Sequence, residues 1–124
     1  MYSPELLDHF QNPRNAGDVE SPDAAAELGN PACGDVLRLT IKVLDGRILD
    51  IRFRAKGCVA AMACGSAVTE LVRGRTIEEG RELRRDELVN AVGGLPQASE
   101  HASHLAIDTL RVLLGKIVDP SERE

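Results

Sequence analysis

The residues with chemistry to offer in this sequence cluster in two short stretches. Cys33 lies within Asn30-Pro31-Ala32-Cys33-Gly34-Asp35, among turn-forming residues just ahead of a strand-like run. Asp35 follows it, and Cys58, in Gly57-Cys58, ends the next strand-like run 25 positions after Cys33. A thiolate is a good ligand for zinc, copper(I) or the iron of iron–sulfur clusters, and a carboxylate can complete such a set or leave it easily. A lone loop cysteine is more often a small buried residue than a ligand. Here the hairpin joining the two cysteines tips that balance towards ligation. Cys58 also stands just before a helix, whose N-terminal dipole favours a thiolate. A third stretch, Glu100-His101-Ala102-Ser103, brings a histidine late in the chain.

The positioning elements are legible from periodicity. From Val36 to Val43, Leu37, Leu39, Ile41 and Val43 alternate with Arg38, Thr40 and Lys42. Leu49, Ile51, Phe53 and Ala55 alternate with Asp50, Arg52, Arg54 and Lys56 in the same manner. Two half-buried strands joined through Asp45-Gly46 make an antiparallel hairpin. A two-residue turn there would set Ile41 against Asp50 and Leu39 against Arg52. A three-residue loop instead pairs Leu39 with Ile51 or Phe53, and this is the expected register. Either way Cys33 falls opposite Gly57 or Val59, one step from Cys58. Opposed Cα atoms lie about 4.5–5.5 Å apart, close enough for both thiols to reach one metal or cluster.

The remaining elements are mostly helical. Ser3 to Phe10 reads as a first helix capped by Ser3, with Pro4 in its first turn and Leu6, Leu7 and Phe10 as its apolar face. The segment from Gln11 to Gly17 breaks it and is either a surface turn or a recognition loop. Ala24 to Leu28 is a candidate edge strand. Val59 to Arg73 carries Ala60, Ala61, Cys64, Ala67, Val68 and Leu71 on one stripe, with Gly74 as the expected C-cap. Thr76-Ile77-Glu78-Glu79 is a capping box, Asp86 to Val92 a further short helix, and Ser99 to Ile117 a last one. Strands first and helices after, without alternation, mean an α+β fold: a small antiparallel β-sheet packed against several α-helices. The expected organisation is one domain over residues 1–124, with 120–124 as a frayed tail.

Composition removes several functional classes. Tyr2, Phe10 and Phe53 are all the aromatics, so no platform exists for stacking bases. A net charge of −5 argues against general nucleic-acid or membrane-surface binding. No segment reads as a secretory signal or membrane helix, and three cysteines without a disulfide framework fit a reducing compartment, so a cytoplasmic location is expected. No phosphate-binding loop, GxSxG elbow or dinucleotide fingerprint is present. Cys64, six positions beyond Cys58 on the apolar stripe, is expected in the core. His101 and His104 share a helix face, although helical zinc pairs usually stand four apart. His9 is read as structural or exposed. Thiol catalysis by Cys33 or Cys58 with His101 as base is conceivable chemistry, but nothing in the sequence supplies a substrate pocket for it.

Taken together, these segments resemble the IscU/NifU family of iron–sulfur cluster assembly scaffolds. Asp8 to Gly17, reading DHFQNPRNAG, looks like its amino-terminal signature. Pro31 to Val36 and Gly57-Cys58 match its first two ligand motifs, and Leu95-Pro96 followed by His101-Ala102-Ser103 sits where the family has its Leu-Pro and His-Cys-Ser segments. The similarity covers nearly the whole chain. It implies a non-enzymatic scaffold that receives sulfur from a cysteine desulfurase, gathers iron, assembles a labile 2Fe–2S cluster and passes it to acceptor proteins. Carried over by position, Cys33, Asp35, Cys58 and His101 would hold the cluster or metal.

One departure bears on that chemistry. The family's third cysteine, a ligand and sulfur acceptor, falls at Ala102. The four residues left could still hold a cluster, since histidine can replace cysteine at some irons. They would suit tetrahedral zinc at least as well. The alternative is therefore a zinc-binding regulatory paralogue that keeps the fold but builds no clusters. Gln97-Ala98-Ser99 after Leu95-Pro96 also lacks the basic residue a specialised chaperone would meet, which leaves that partner in doubt.

Overall fold

The computed structural model describes residues 1–30, 32 and 34–117. Cys33 and the expected tail, 120–124, lie outside the described residues. A three-stranded antiparallel sheet in the order β1-β2-β3 is built from β1 (Ala24–Asn30), β2 (Asp35–Leu44) and β3 (Arg47–Lys56). Around it lie α1 (Pro4–Gln11), α2 (Val59–Val72), α3 (Ile77–Arg81), α4 (Arg85–Ala91) and α5 (Glu100–Gly115), the last entered through a 3-10 turn at Gln97–Ser99. This is the expected α+β arrangement.

The hairpin shows how the chain reconciles its turn with its pattern. Leu44 pairs with Arg47 across Asp45-Gly46, a two-residue turn with both residues at positive φ (52° and 76°). Such a turn matches the right-handed twist of the strands. It would set apolar against charged residues along the whole ladder, but Lys42 pairs with Asp50 while Val43 pairs with Ile48. Leu49 is thus an extra residue, a β-bulge, and it is exposed where the alternation had placed it inward. Ile48 is fully buried instead. Beyond the bulge the register is the expected one, with Leu39 opposite Phe53 and Ile41 opposite Ile51. The three-residue loop is therefore corrected to a tight turn plus a bulge, which restores the same parity.

One face of the sheet, carrying Leu37, Leu39, Ile41, Ile51 and Phe53, packs on α2 and α5 to form the core. Helix α2 is buried nearly all round, from Ala60 to Val72, rather than along a single stripe. Its C-cap is Arg73, one residue earlier than expected, and the Gly74 N–H continues to the Ile48 carbonyl at 2.8 Å. On α1, Ser3 accepts from the Leu6 N–H at 2.9 Å, as its type predicts. Leu6 and His9 face inward there, while Leu7 and Phe10, expected on the apolar face, remain exposed. Thr76 and Glu79 form the reciprocal capping box. Along the last helix segment Ala102, Ala106, Leu110, Leu113 and Ile117 are all buried.

The segment after α1 covers a sheet edge. The Phe53 N–H donates to the Asn15 carbonyl at 2.9 Å and the Gly17 N–H to the Phe53 carbonyl at 2.8 Å, a short parallel bridge along β3. Ser66 in α2 anchors it, its Oγ accepting from the Arg14 N–H at 2.9 Å and bonding His9 Nδ1 at 2.8 Å.

Candidate metal centre

The site forms where the open end of the hairpin meets the first residues of α2 and α5. Val36 pairs with Lys56, and one step further along the ladder Asp35 faces Gly57. Asp35 is only 1% exposed, and an unpaired carboxylate so deep would be costly. Its Oδ1 accepts from the Cys58 backbone N–H at 2.9 Å, while Oδ2 accepts from the Cys58 thiol at 3.4 Å and meets His101 Nε2 at 2.9 Å. Gly57 makes room for this. Its φ is +120°, and a Cβ there would lie 2.0 Å from Asp35 Oδ1. A side chain at 57 would be both strained and in collision with the carboxylate.

Cys58 is the N-cap of α2, its Sγ accepting from the Ala61 N–H at 3.4 Å and standing 3.8 Å from His101 Nε2. His101 sits in the first turn of α5, with 26% of its side chain exposed. The donor atoms of Asp35, Cys58 and His101 all lie within 4.8 Å of one another. Around one tetrahedral zinc, bond lengths of about 2.0–2.3 Å place neighbouring S and O or S and N donors roughly 3.6 Å apart, and N and O roughly 3.4 Å apart. The observed 3.4, 3.8 and 2.9 Å fit a single ion after a small opening of the Asp35–His101 pair.

Burial pushes the Asp35 carboxyl up, but hydrogen bonds from the Cys58 N–H, the Cys58 thiol and His101 outweigh it and hold the group below the usual carboxylate range. Cys58 moves the other way. Burial raises its thiol above the ordinary value, helped by the adjoining carboxylate, and the helix-start N–H bonds from Ala61 and Ala60 offset this only in part. The helix dipole therefore does not leave a free thiolate, contrary to the expectation from position alone. Without a cation the thiol keeps its proton and donates it to Asp35. The arrangement can exchange that proton for a metal ion, with His101 Nε2 offered as a further donor beside it.

Three of the four expected ligands thus meet. Cys33, the fourth, lies outside the described residues. Cys64 is fully buried, with its thiol pushed up to about 12 by burial. His104 is exposed and not part of the cluster, and Ala102 faces the core at 1% exposure. The role of Gly57 as the seat of Asp35 was not apparent in the sequence, although a glycine between an alternating strand and a helix start is its mark.

A family model described as the NifU-like N terminal domain matches residues 1–118. This chain belongs to the NifU-like N-terminal-domain family. Among its relatives in this family is the iron-sulfur cluster assembly scaffold protein IscU 1 of Archaeoglobus fulgidus, 50% identical over 111 residues, which span 90% of this chain and 72% of that protein. The IscU scaffold protein of Escherichia coli is 38% identical over 118 residues, 92% of this chain and 91% of that one. The fold is shared with the N-terminal part of a NifU-like protein from Brucella abortus, with a TM-score of 0.75 at 21% identity over 98% of this chain and 95% of that one. Both IscU relatives are, by name, scaffold proteins of iron-sulfur cluster assembly.

Proposed function

We propose that this member of the scaffold family holds one divalent metal ion of the zinc class through Asp35, Cys58 and His101, with Cys33 as the fourth ligand, and has given up cluster assembly. The separation of the three donor atoms carries this reading, because it suits one small cation. Ala102 supports it, since the family's third thiol is missing and the buried Cys64 does not replace it. A bound zinc-class ion would tie the ends of β2, α2 and α5 together. The protein's part is to hold Asp35 ionised and aligned through the Cys58 N–H, and to present Cys58 and His101 from two helix starts. Binding requires the thiols to give up their protons, so affinity weakens as the pH falls. The reading includes a single domain and a cytoplasmic setting; among the described residues no helix is long and apolar enough to cross a membrane.

A second reading has its own support in the 50% identity to an IscU scaffold. In it the same four residues carry a 2Fe–2S cluster built with sulfur from a cysteine desulfurase and passed to iron–sulfur acceptor proteins. Anaerobic purification, reconstitution with iron and sulfide, and quantification of iron, acid-labile sulfide and zinc separate the two. Stoichiometric zinc that iron and sulfide do not displace supports the first. Near-equal iron and labile sulfide, with visible absorbance lost in Cys33→Ala, would overturn it in favour of the second.

A further inference from the structure

The Asn15–Gly17 bridge covers only part of the outer edge of β3. Phe53 turns its N–H and C=O to that edge, where Gly17 and Asn15 meet them. Strand residues alternate, so Ala55 turns its own N–H and C=O the same way. Among the described residues nothing pairs with them, because the chain leaves the edge after Gly17. Asp18 crosses to the open face of the sheet, pairing with Arg38 at 3.1 Å and Arg54 at 3.2 Å, and the Val19 N–H reaches Thr40 Oγ1 at 2.9 Å.

A groove of about 670 Å³ opens beside this uncovered edge, with Phe10, Pro13 and Met62 on its helix side and Arg54 and Lys56 on its sheet side. Phe10 is 36% exposed. The Arg54 side chain is 68% exposed despite its pairing with Asp18. Lys56 is exposed, and among the described residues no carboxylate pairs with it. In a chain of net charge −5 the groove is lined by three cations, Arg38, Arg54 and Lys56, against one carboxylate, Glu27, so its rim is locally cationic. A strand added at Ala55 would point successive side chains alternately to the apolar wall and to the cations.

We infer that the β3 edge at Ala55 is a docking site for an extended segment of a partner protein in which apolar and acidic residues alternate. Backbone pairing at Ala55 supplies the attachment, the Phe10–Met62 wall takes the apolar side chains, and Arg54 and Lys56 take the carboxylates. The groove ends two residues short of Cys58, so a segment docked there lies beside the metal centre.

Three fluorescein-labelled octapeptides test it, with leucine alternating with glutamate, glutamine or lysine, titrated against the full chain and followed by fluorescence anisotropy. The expected result is saturable binding of the glutamate peptide at least about tenfold tighter than the lysine peptide. N-methylation of its alternate amides should remove that binding, and the Ala55 amide resonance should shift on titration. Arg54→Glu with Lys56→Glu should reverse the order of preference, whereas Arg111→Glu, exposed on α5, should leave it unchanged; circular dichroism checks that each variant folds. No saturable binding up to millimolar peptide, equal binding of all three, or resonance shifts confined to another surface would overturn the proposal. So would self-association of the chain that Lys56→Glu abolishes while no peptide binds, since a second copy would then own the edge.

Discussion

Helix α2 carries two polar clusters that both contain a histidine, and they have opposite characters. At Ser66, His9 Nδ1 meets the hydroxyl at 2.8 Å, the same hydroxyl accepts from the Arg14 N–H, and His9 Nε2 faces Glu70 at 3.6 Å. Each polar atom has its partner, and His9 is 6% exposed. At Cys58, a thiol, a carboxylate and an imidazole point at one another, with protons holding together groups that would each bind a cation. The first cluster is saturated and ties the 12–17 segment to the core. The second is also hydrogen-bonded, but through atoms that a metal could take over, and His101 opens it to solvent. A buried histidine is therefore no sign of a site by itself; what matters is whether its neighbours are ligands in their own right.

Substitutions can sharpen or break this contrast. Cys58→Ala should cost the most metal affinity, more than the roughly 100-fold lost when a partner outside the ligand set is removed, as read by competition with a chromogenic chelator. An unchanged affinity would sink the assignment. Gly57→Ala should come next, because its Cβ would meet Asp35 Oδ1 at 2.0 Å in a backbone at φ +120°. We expect about 1–3 kcal/mol of lost stability in denaturant titration, together with weakened metal binding.

Ser66→Ala should cost about 1–3 kcal/mol by leaving the Arg14 N–H and His9 without their partner, yet leave metal affinity intact. A loss of affinity there would mean the two clusters are coupled. The smallest effect is one of pH. Burial and the nearby Arg14 lower His9 below the ordinary 6.5, while Glu70 and Asp8 oppose the shift. The folded chain thus resists a proton that the unfolded chain accepts. The stability due to neutral His9 is complete above pH 6.5 and is lost as the pH falls from there through the lowered value. His9→Gln should flatten that part of the stability curve in denaturant titrations run at successive pH values.

The element types and much of their order were legible from residue patterns. Alternation marked β2 and β3, Ser3 and Thr76 marked helix starts, and the pairing of Leu39 with Ile51 or Phe53 followed because apolar residues must share the buried face. Cys58 and Asp35 could be brought near each other because the hairpin is local, and its ladder carries position 35 to position 57. Cys64 could be placed in the core for the same reason, its helix position being short-range information.

What the tertiary structure alone decided lies where distant segments meet or where two local solutions are equally good. The turn could have been three residues long or two with a compensating bulge; packing of Ile48 in the core selected the bulge at Leu49. His9, His101 and His104 all sit on helices, and spacing does not say which of them faces a thiol. Only the docking of α5 against the hairpin end brings His101 Nε2 to 2.9 Å from Asp35, while His104, one turn on, stays exposed. The state of Cys58 was likewise beyond local reading. The helix start pulls its thiol towards the anion, but the loss of water, helped by the buried Asp35 carboxylate, pulls harder the other way, and both depend on what the rest of the chain packs around it.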